Sequence, residues 1–241
     1  MKLRDYFNRM DSTKCIWDCY NYNQIFISND FLYIRIERAA SKFITSQIIQ
    51  DNVSREPNSE VAVTEYCNLN NSLVIKEVFF ISEKPKKLPK CLVVVRNPYE
   101  RFLSILDLTL SDNANFANTD KTLFKFFSKI NTLTNDIELI VDKFINYFYA
   151  IYKIEFPNWP ISDEYNIFLP QSKVICNCDI EILKVEEFES RWKDVFGVEY
   201  PKEDVLNVKE RNYLDGYKLT ETQKIKLREI YDIDFRNFGY E

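Results

Sequence analysis

The amino-acid sequence predicts an α/β protein whose mostly parallel central sheet is flanked by helices. Three observations carry that prediction. Strand-like and helix-like segments alternate along the chain, the order that builds βαβ units. Residues 91–95, CLVVV, are a short apolar run without alternation, as a strand covered on both faces of a parallel sheet requires. With 241 residues, 46% of them hydrophobic and 15% aromatic, the chain can bury one substantial core, so residues 1–241 are read as a single domain.

The elements follow in order. MKLRDYFNRMDSTK at the N-terminus holds no apolar stretch of signal-peptide length. No window of the chain approaches the roughly 18–20 apolar residues of a membrane span. The expectation is a soluble, cytoplasmic protein without an integral membrane segment. The first strand is FLYIRI (31–36), paired with IFIS (25–28) across Asn29-Asp30, a turn-type dipeptide. A helix from Lys42 to Gln50 follows, with Ser41 as N-cap. Residues 51–72 are polar and read as a surface loop; SLVIKEVFFI (72–81) reads in part as a strand. After CLVVV, Asn97 is placed to cap a helix that has Pro98 at its first position. Tyr99, Phe102, Leu103, Leu106 and Leu110 then form a core-facing stripe, with Arg101, Ser104 and Asp107 lying off it. Further helices are expected near 121–130 and 135–153. Residues 156–171, rich in proline, read as irregular, and KVICNC and EILKV as short strands. EEFESRWKDVF reads as a helix stopped by Gly197, and TETQ (220–223) as a capping box opening the last helix, with Ile225, Ile230 and Tyr231 turned inward.

Composition excludes several function classes. The formal charge of −5 argues against a general nucleic-acid binder. Three glycines, Gly197, Gly216 and Gly239, cannot make a glycine-rich loop, which removes the dinucleotide fingerprint and the Walker phosphate loop. The absence of histidine removes the usual general base, the serine-histidine triads and most catalytic metals. A zinc site would need four thiolates from Cys15, Cys19, Cys176 and Cys178; reduced thiols of a cytosolic protein are the simpler reading, and no metal is expected.

Two segments look built for anions. Ligands of such sheets sit beyond the carboxyl ends of the strands. Strand 31–36 runs into ERAASKF and a helix, whose first turn offers N–H groups and the positive end of a dipole. Ala39, Ala40 and Ser41 are small enough for a backbone to approach an anion, and Arg38 and Lys42 bracket the turn with charge. The alternative is a solvated loop with ordinary surface charges. The second segment is LVVVRNPYERFLSIL (92–106), where Arg96 at the strand end and Ser104 on the helix can both grip a phosphate. Arg101 can instead pair with Glu100, Asp107 or another carboxylate. Two such sites in one sheet suggest a ligand with two separated phosphate-type groups.

These residues resemble the 3′-phosphoadenosine 5′-phosphosulfate-dependent sulfotransferases, in particular the membrane-type carbohydrate sulfotransferases. YIRIERAASKFI is similar to their 5′-phosphosulfate loop. VVVRNPYERFLSIL matches every position of their 3′-phosphate motif, an apolar strand followed by Arg-x-Pro-x-x-Arg-x-x-Ser. PQSKVI (170–175) with ILKVEEFES (182–190) resembles the family's Pro-Gln segment and its strand-to-helix passage. IYDIDFRNFGY (230–240) is similar to the closing Tyr-x-x-Asp-Phe-x-x-Phe-Gly-Tyr. The resemblance covers roughly residues 31–241 and departs from the family at the loop. Arg38 stands at the loop lysine, Lys42 at the threonine, and Glu37 at the usual proline, while Asn166-Ile167-Phe168-Leu169 stands where a histidine is frequent.

The resemblance implies a P-loop-like nucleotide-binding fold, with 3′-phosphoadenosine 5′-phosphosulfate (PAPS) as sulfuryl donor and 3′,5′-bisphosphoadenosine (PAP) as product. It implies nucleotide contacts at Arg38, Ala39, Ala40, Ser41, Lys42, Phe43, Arg96, Ser104 and Arg211. Arg38 and Lys42 would stabilise the leaving phosphate, and a carboxylate would act as base: Glu37, Glu65 or Asp107. The implied acceptor is a glycan or glycolipid hydroxyl. Two rival classes are a non-catalytic relative acting as a binding or interaction protein, and a nucleotide or small-molecule kinase.

Overall fold

Among the described residues, a seven-stranded sheet organises one part of the chain and four helices organise another. The computed structural model describes residues 22–27, 31–34, 36, 39–40, 43–44, 62–64, 67–69, 73–80, 90–111, 136–155, 168, 170–173, 180–197, 199–201 and 213–241. The chain divides into two units, Met1–Arg96 with Gln171–Val205, and Asn97–Pro170 with Leu206–Glu241.

The first unit contains strands β1 (Tyr22–Ile27), β2 (Phe31–Ile34), β3 (Ala62–Thr64), β4 (Cys67–Leu69), β5 (Leu73–Phe80), β6 (Lys90–Val95) and β7 (Ile180–Lys184). Their order is β3-β5-β1-β2-β6-β7, with β4 also on β5. The hairpin expected across Asn29-Asp30 is present: β1 and β2 pair antiparallel, with Phe26 opposite Tyr33. β2, β6 and β7 are parallel neighbours, Ile34 lying opposite Val93 and Val95 opposite Lys184. β1 and β5 are parallel to each other.

The sheet is therefore α/β in character but mixed. Among the described residues three pairings are parallel and three antiparallel, where the sequence predicts a mostly parallel sheet. The β1–β2 connection is the cause at its centre, because so short a link can only reverse direction. β3 and β4 are a further correction, since 51–72 reads as loop. Each is only three residues, too short to show a period, and each is defined by its antiparallel pairing along β5.

β6 meets its expectation: Cys91 through Val95 are all buried. After β7 comes one 3₁₀ turn, Val185–Glu187, then helix α3 (Phe188–Phe196), which stops where Gly197 takes a left-handed φ of 71°. Arg191 fastens this helix back to the strand, donating to the Ile182 carbonyl at 3.0 Å and pairing with Glu181 and Glu187. Phe43, Phe188, Trp192 and Tyr200 form an aromatic cluster, with ring centroids 5.3 Å apart for Phe43–Trp192 and 5.5 Å for Phe188–Trp192.

The second unit contains α1 (Pro98–Ser111), α2 (Ile137–Glu155), α4 (Glu221–Ile230) and α5 (Asp232–Phe238). Its core joins Phe102, Leu106, Phe144, Phe148, Phe168, Leu227, Tyr231 and Phe235 among others. Asp136 caps the start of α2, its carboxylate accepting from Leu139 N–H at 3.2 Å. The capping box at Thr220 and Gln223 is formed. Gln223 is also buried and central: its amide donates to Asp142 on α2 at 2.8 Å and its oxygen accepts from Tyr217 Oη at 2.9 Å. The inward face of α4 is thus Gln223, Leu227 and Ile230, at i, i+4 and i+7. Ile225, expected inside, is 62% exposed, whereas Ile230 and Tyr231 are buried as expected.

Among the described residues no helix is long and apolar enough to cross a membrane. The helix expected near 121–130, most of residues 156–169 and the strand KVICNC beyond Lys173 lie outside the described residues.

Candidate functional site

Both anion-binding candidates begin at the carboxyl ends of adjacent parallel strands, β2 and β6. β2 leads through the buried Ile36 to a turn at Ala39 and Ala40. Ala39 N–H donates to the Ile36 carbonyl at 3.3 Å, and Ile44 N–H to the Ala40 carbonyl at 3.1 Å. The second bond has i→i−4 spacing, so a helical turn opens with Ala40 as its first acceptor. Ala40 has φ +53°, the only positive value among described non-glycine residues. A left-handed alanine costs roughly 1–2 kcal/mol, which the surrounding contacts must offset. Ala39 is fully buried, and Phe43, expected to contact nucleotide, packs in the aromatic cluster with Phe188, Trp192 and Tyr200. Glu37, Arg38, Ser41 and Lys42 lie outside the described residues, as do Glu65 and Arg211.

At the end of β6 the chain reaches Arg96, which is half-buried. Its main chain is gripped by one side chain: Arg96 N–H donates to Gln171 Oε1 at 2.9 Å, and Gln171 Nε2 donates to the Arg96 carbonyl at 2.8 Å. Gln171 is completely buried. It belongs to the Pro-Gln segment that the sequence singles out, but nothing in the sequence assigns it this partner.

Helix α1, in the second unit, opens as expected. Asn97 Oδ1 accepts from Tyr99 N–H at 3.0 Å and from Glu100 N–H at 3.4 Å, and Pro98 has no N–H to offer. The cap thus occupies the amides of the first turn. An anion gripped by this motif would be held by side chains and not by the helix end.

The stripe expected on α1 is wider than its apolar spacing implies. Arg101 is 3% exposed, and Ser104 and Asp107 are each 8% exposed, so Arg101 through Asp107 are buried without interruption. Polar side chains tolerate burial when they have partners. Asp107 shows its partners plainly: its Oδ1 accepts from Tyr213 N–H at 2.9 Å and Leu214 N–H at 3.1 Å. Named as a candidate base, it is committed to the backbone ahead of α4.

The C-terminal motif has an equally clear arrangement. Tyr231 donates from Oη to the Phe168 carbonyl at 2.9 Å. Burial pushes the Tyr231 hydroxyl well above the ordinary phenol range, with the nearby Arg101 guanidinium opposing the rise and Asp234 adding to it. The phenol therefore stays protonated and keeps donating. Arg101 of segment 92–106 and Tyr231 and Asp234 of segment 230–240 share one buried electrostatic neighbourhood. Asp234, Phe235 and Phe238 are buried, and Gly239 ends α5 at φ 61°.

Of the candidate residues, then, Arg96 and Ala39–Ala40 stand at carboxyl ends of neighbouring strands, while Arg101 and Asp107 serve the helical core. No protein-family model, curated protein or solved structure matches the chain.

Proposed function

We propose that the protein is a PAPS-dependent sulfotransferase that transfers a sulfuryl group to an acceptor hydroxyl on a carbohydrate. One observation carries the reading furthest: β2 and β6, the strands that lead into the two anion-type segments, are parallel neighbours. Both segments therefore leave the same edge of the sheet, where ligands of α/β proteins bind. This supports a donor with two phosphate-bearing ends. In that reading Arg96 and Ser104 bind the 3′-phosphate and the 38–42 loop binds the 5′-phosphosulfate.

The transfer forms a bond from acceptor oxygen to sulfur and breaks the bond from sulfur to the bridging oxygen of the 5′-phosphate. PAP leaves with that electron pair, and the acceptor proton passes to a base. Charge grows on the bridging oxygen, so a fixed cation there lowers the barrier. Arg38 stands at the family lysine's position and supplies a permanent planar charge but no proton; Lys42 can supply both. With Asp107 holding two backbone amides, Glu37 and Glu65 remain as the carboxylate bases to test.

The commitment of Asp107 favours a second reading, a nucleotide-binding protein without turnover. A thermal-shift panel separates the classes. PAP at about 100 times its dissociation constant is expected to add roughly 2.7 kcal/mol of apparent stability, and AMP much less. A shift by ATP with magnesium, and none by PAP, would move the protein to the kinases. Equal shifts by PAP and AMP would overturn the 3′-phosphate assignment. A PAP response without sulfation of any carbohydrate acceptor would favour the non-catalytic relative.

A further inference from the structure

We propose that Phe43 is the positioning residue of the 5′-phosphate loop, its ring mooring the loop and the cations it carries to helix α3. The inference rests on the nucleotide reading above and adds to it a distant part of the chain, the aromatic face of α3.

The turn is fixed at two points. Ala39 is fully buried, and its N–H donates to the Ile36 carbonyl at 3.3 Å. Phe43 and Ile44 are buried as well, and Ile44 N–H closes on the Ala40 carbonyl at 3.1 Å. Arg38 directly precedes Ala39 in the chain, and Lys42 directly precedes Phe43. Each cation is therefore mounted about 3.8 Å, Cα to Cα, from an anchored residue. Ala40 lies between the anchors at φ +53°, a conformation that persists only where its surroundings hold it.

The Phe43 ring supplies that hold from outside the turn. Its centroid lies 6.1 Å from Phe188, 5.3 Å from Trp192 and 6.2 Å from Tyr200, in the tilted and edge-on arrangements that aromatic rings favour. These partners also pack on one another, with 5.5 Å between Phe188 and Trp192 and 5.4 Å between Trp192 and Tyr200. Phe188 and Trp192 belong to α3, which Arg191 fastens to β7. β7 pairs with β6, and β6 with β2, the strand that leads into the turn. The turn is thus held to the sheet twice, by its own strand and by a ring packed on a helix that leaves the sheet two strands away. Support of this kind keeps a charged group within the narrow tolerance that a binding site needs.

The test compares the full chain with Phe43→Leu and with Trp192→Leu, each of which keeps an apolar side chain but loses a ring of the mooring. Titration calorimetry measures affinities for PAP, for AMP and for adenosine 3′-monophosphate. The preference for PAP over adenosine 3′-monophosphate reports the 5′ end, and the preference for PAP over AMP reports the 3′ end. Each variant is expected to lose about tenfold in the first preference and to keep the second. A ring that serves stability alone would change neither preference or both alike, and either result would overturn this inference while leaving the nucleotide reading in place. Should one variant fail to fold, the other decides by the same comparison. Should both fail, hydrogen exchange at the wild-type Ile44 amide without nucleotide decides: slow exchange supports a turn already moored, and fast exchange overturns it. A wild-type chain that shows neither preference would overturn the nucleotide reading and this inference with it.

Discussion

The helical unit and the sheet unit use their motif residues differently. In the helical unit the residues that most resemble a sulfotransferase are also the ones its own packing requires. Arg101 is buried beside Tyr231 and Asp234, Asp107 holds the backbone at 213–214, and Tyr231 is bonded to the Phe168 carbonyl. In the sheet unit Arg96 follows the last residue of β6, and Ala40 sits in a left-handed turn. Neither feature is needed to build a strand. The contrast teaches that Arg101, Asp107 and Tyr231 serve the packing of their own unit, and that ligand chemistry is to be sought first at the strand ends.

The contrast can be broken at Asp107. Asp107→Ala would leave the amides of Tyr213 and Leu214 without their acceptor, and about 3 kcal/mol of stability is expected to go in urea unfolding. PAP affinity of the folded protein should hardly change. A fully stable variant that no longer binds PAP would make Asp107 itself part of the ligand machinery.

Arg96→Ala should give the opposite signature. PAP binding is expected to weaken by about 1.5–3 kcal/mol, the scale of a hydrogen bond to a charged group, with stability altered by about 0.5 kcal/mol or less. Ser104→Ala should weaken binding by less than Arg96→Ala. Calorimetric affinities equal to wild type in both variants would make Arg96 and Ser104 as structural as Asp107.

A smaller effect is expected from Tyr231→Phe, which removes only the bond to Phe168 and should cost about 1 kcal/mol. Donor affinity serves as the control: a change in it would tie the closing motif to the nucleotide. The smallest is at Ala40. Glycine relieves left-handed strain of roughly 1–2 kcal/mol but gives back about 0.5–1 kcal/mol in backbone entropy, so Ala40→Gly should raise stability by about 0.5 kcal/mol. A lower melting temperature would show that the loop does not hold Ala40 at positive φ.

What the sequence determined by itself was whatever acts within a turn or two. The Asn97-Pro98 start of α1, the Thr220–Gln223 capping box, the stop at Gly197, the β1–β2 hairpin and the buried run of β6 are all legible there. Each depends on neighbours a few residues away. What tertiary structure decided were the pairings at a distance. β3 and β4 exist as strands only through β5, and Ile225 faces out because Gln223 and Leu227 set the inner face of α4. Asp107 and Gln171 acquire their roles from partners 106 and 75 residues away. Charge and spacing nominated Arg96, but a carboxamide from another part of the chain holds its backbone, and no local pattern encodes a bond across that distance.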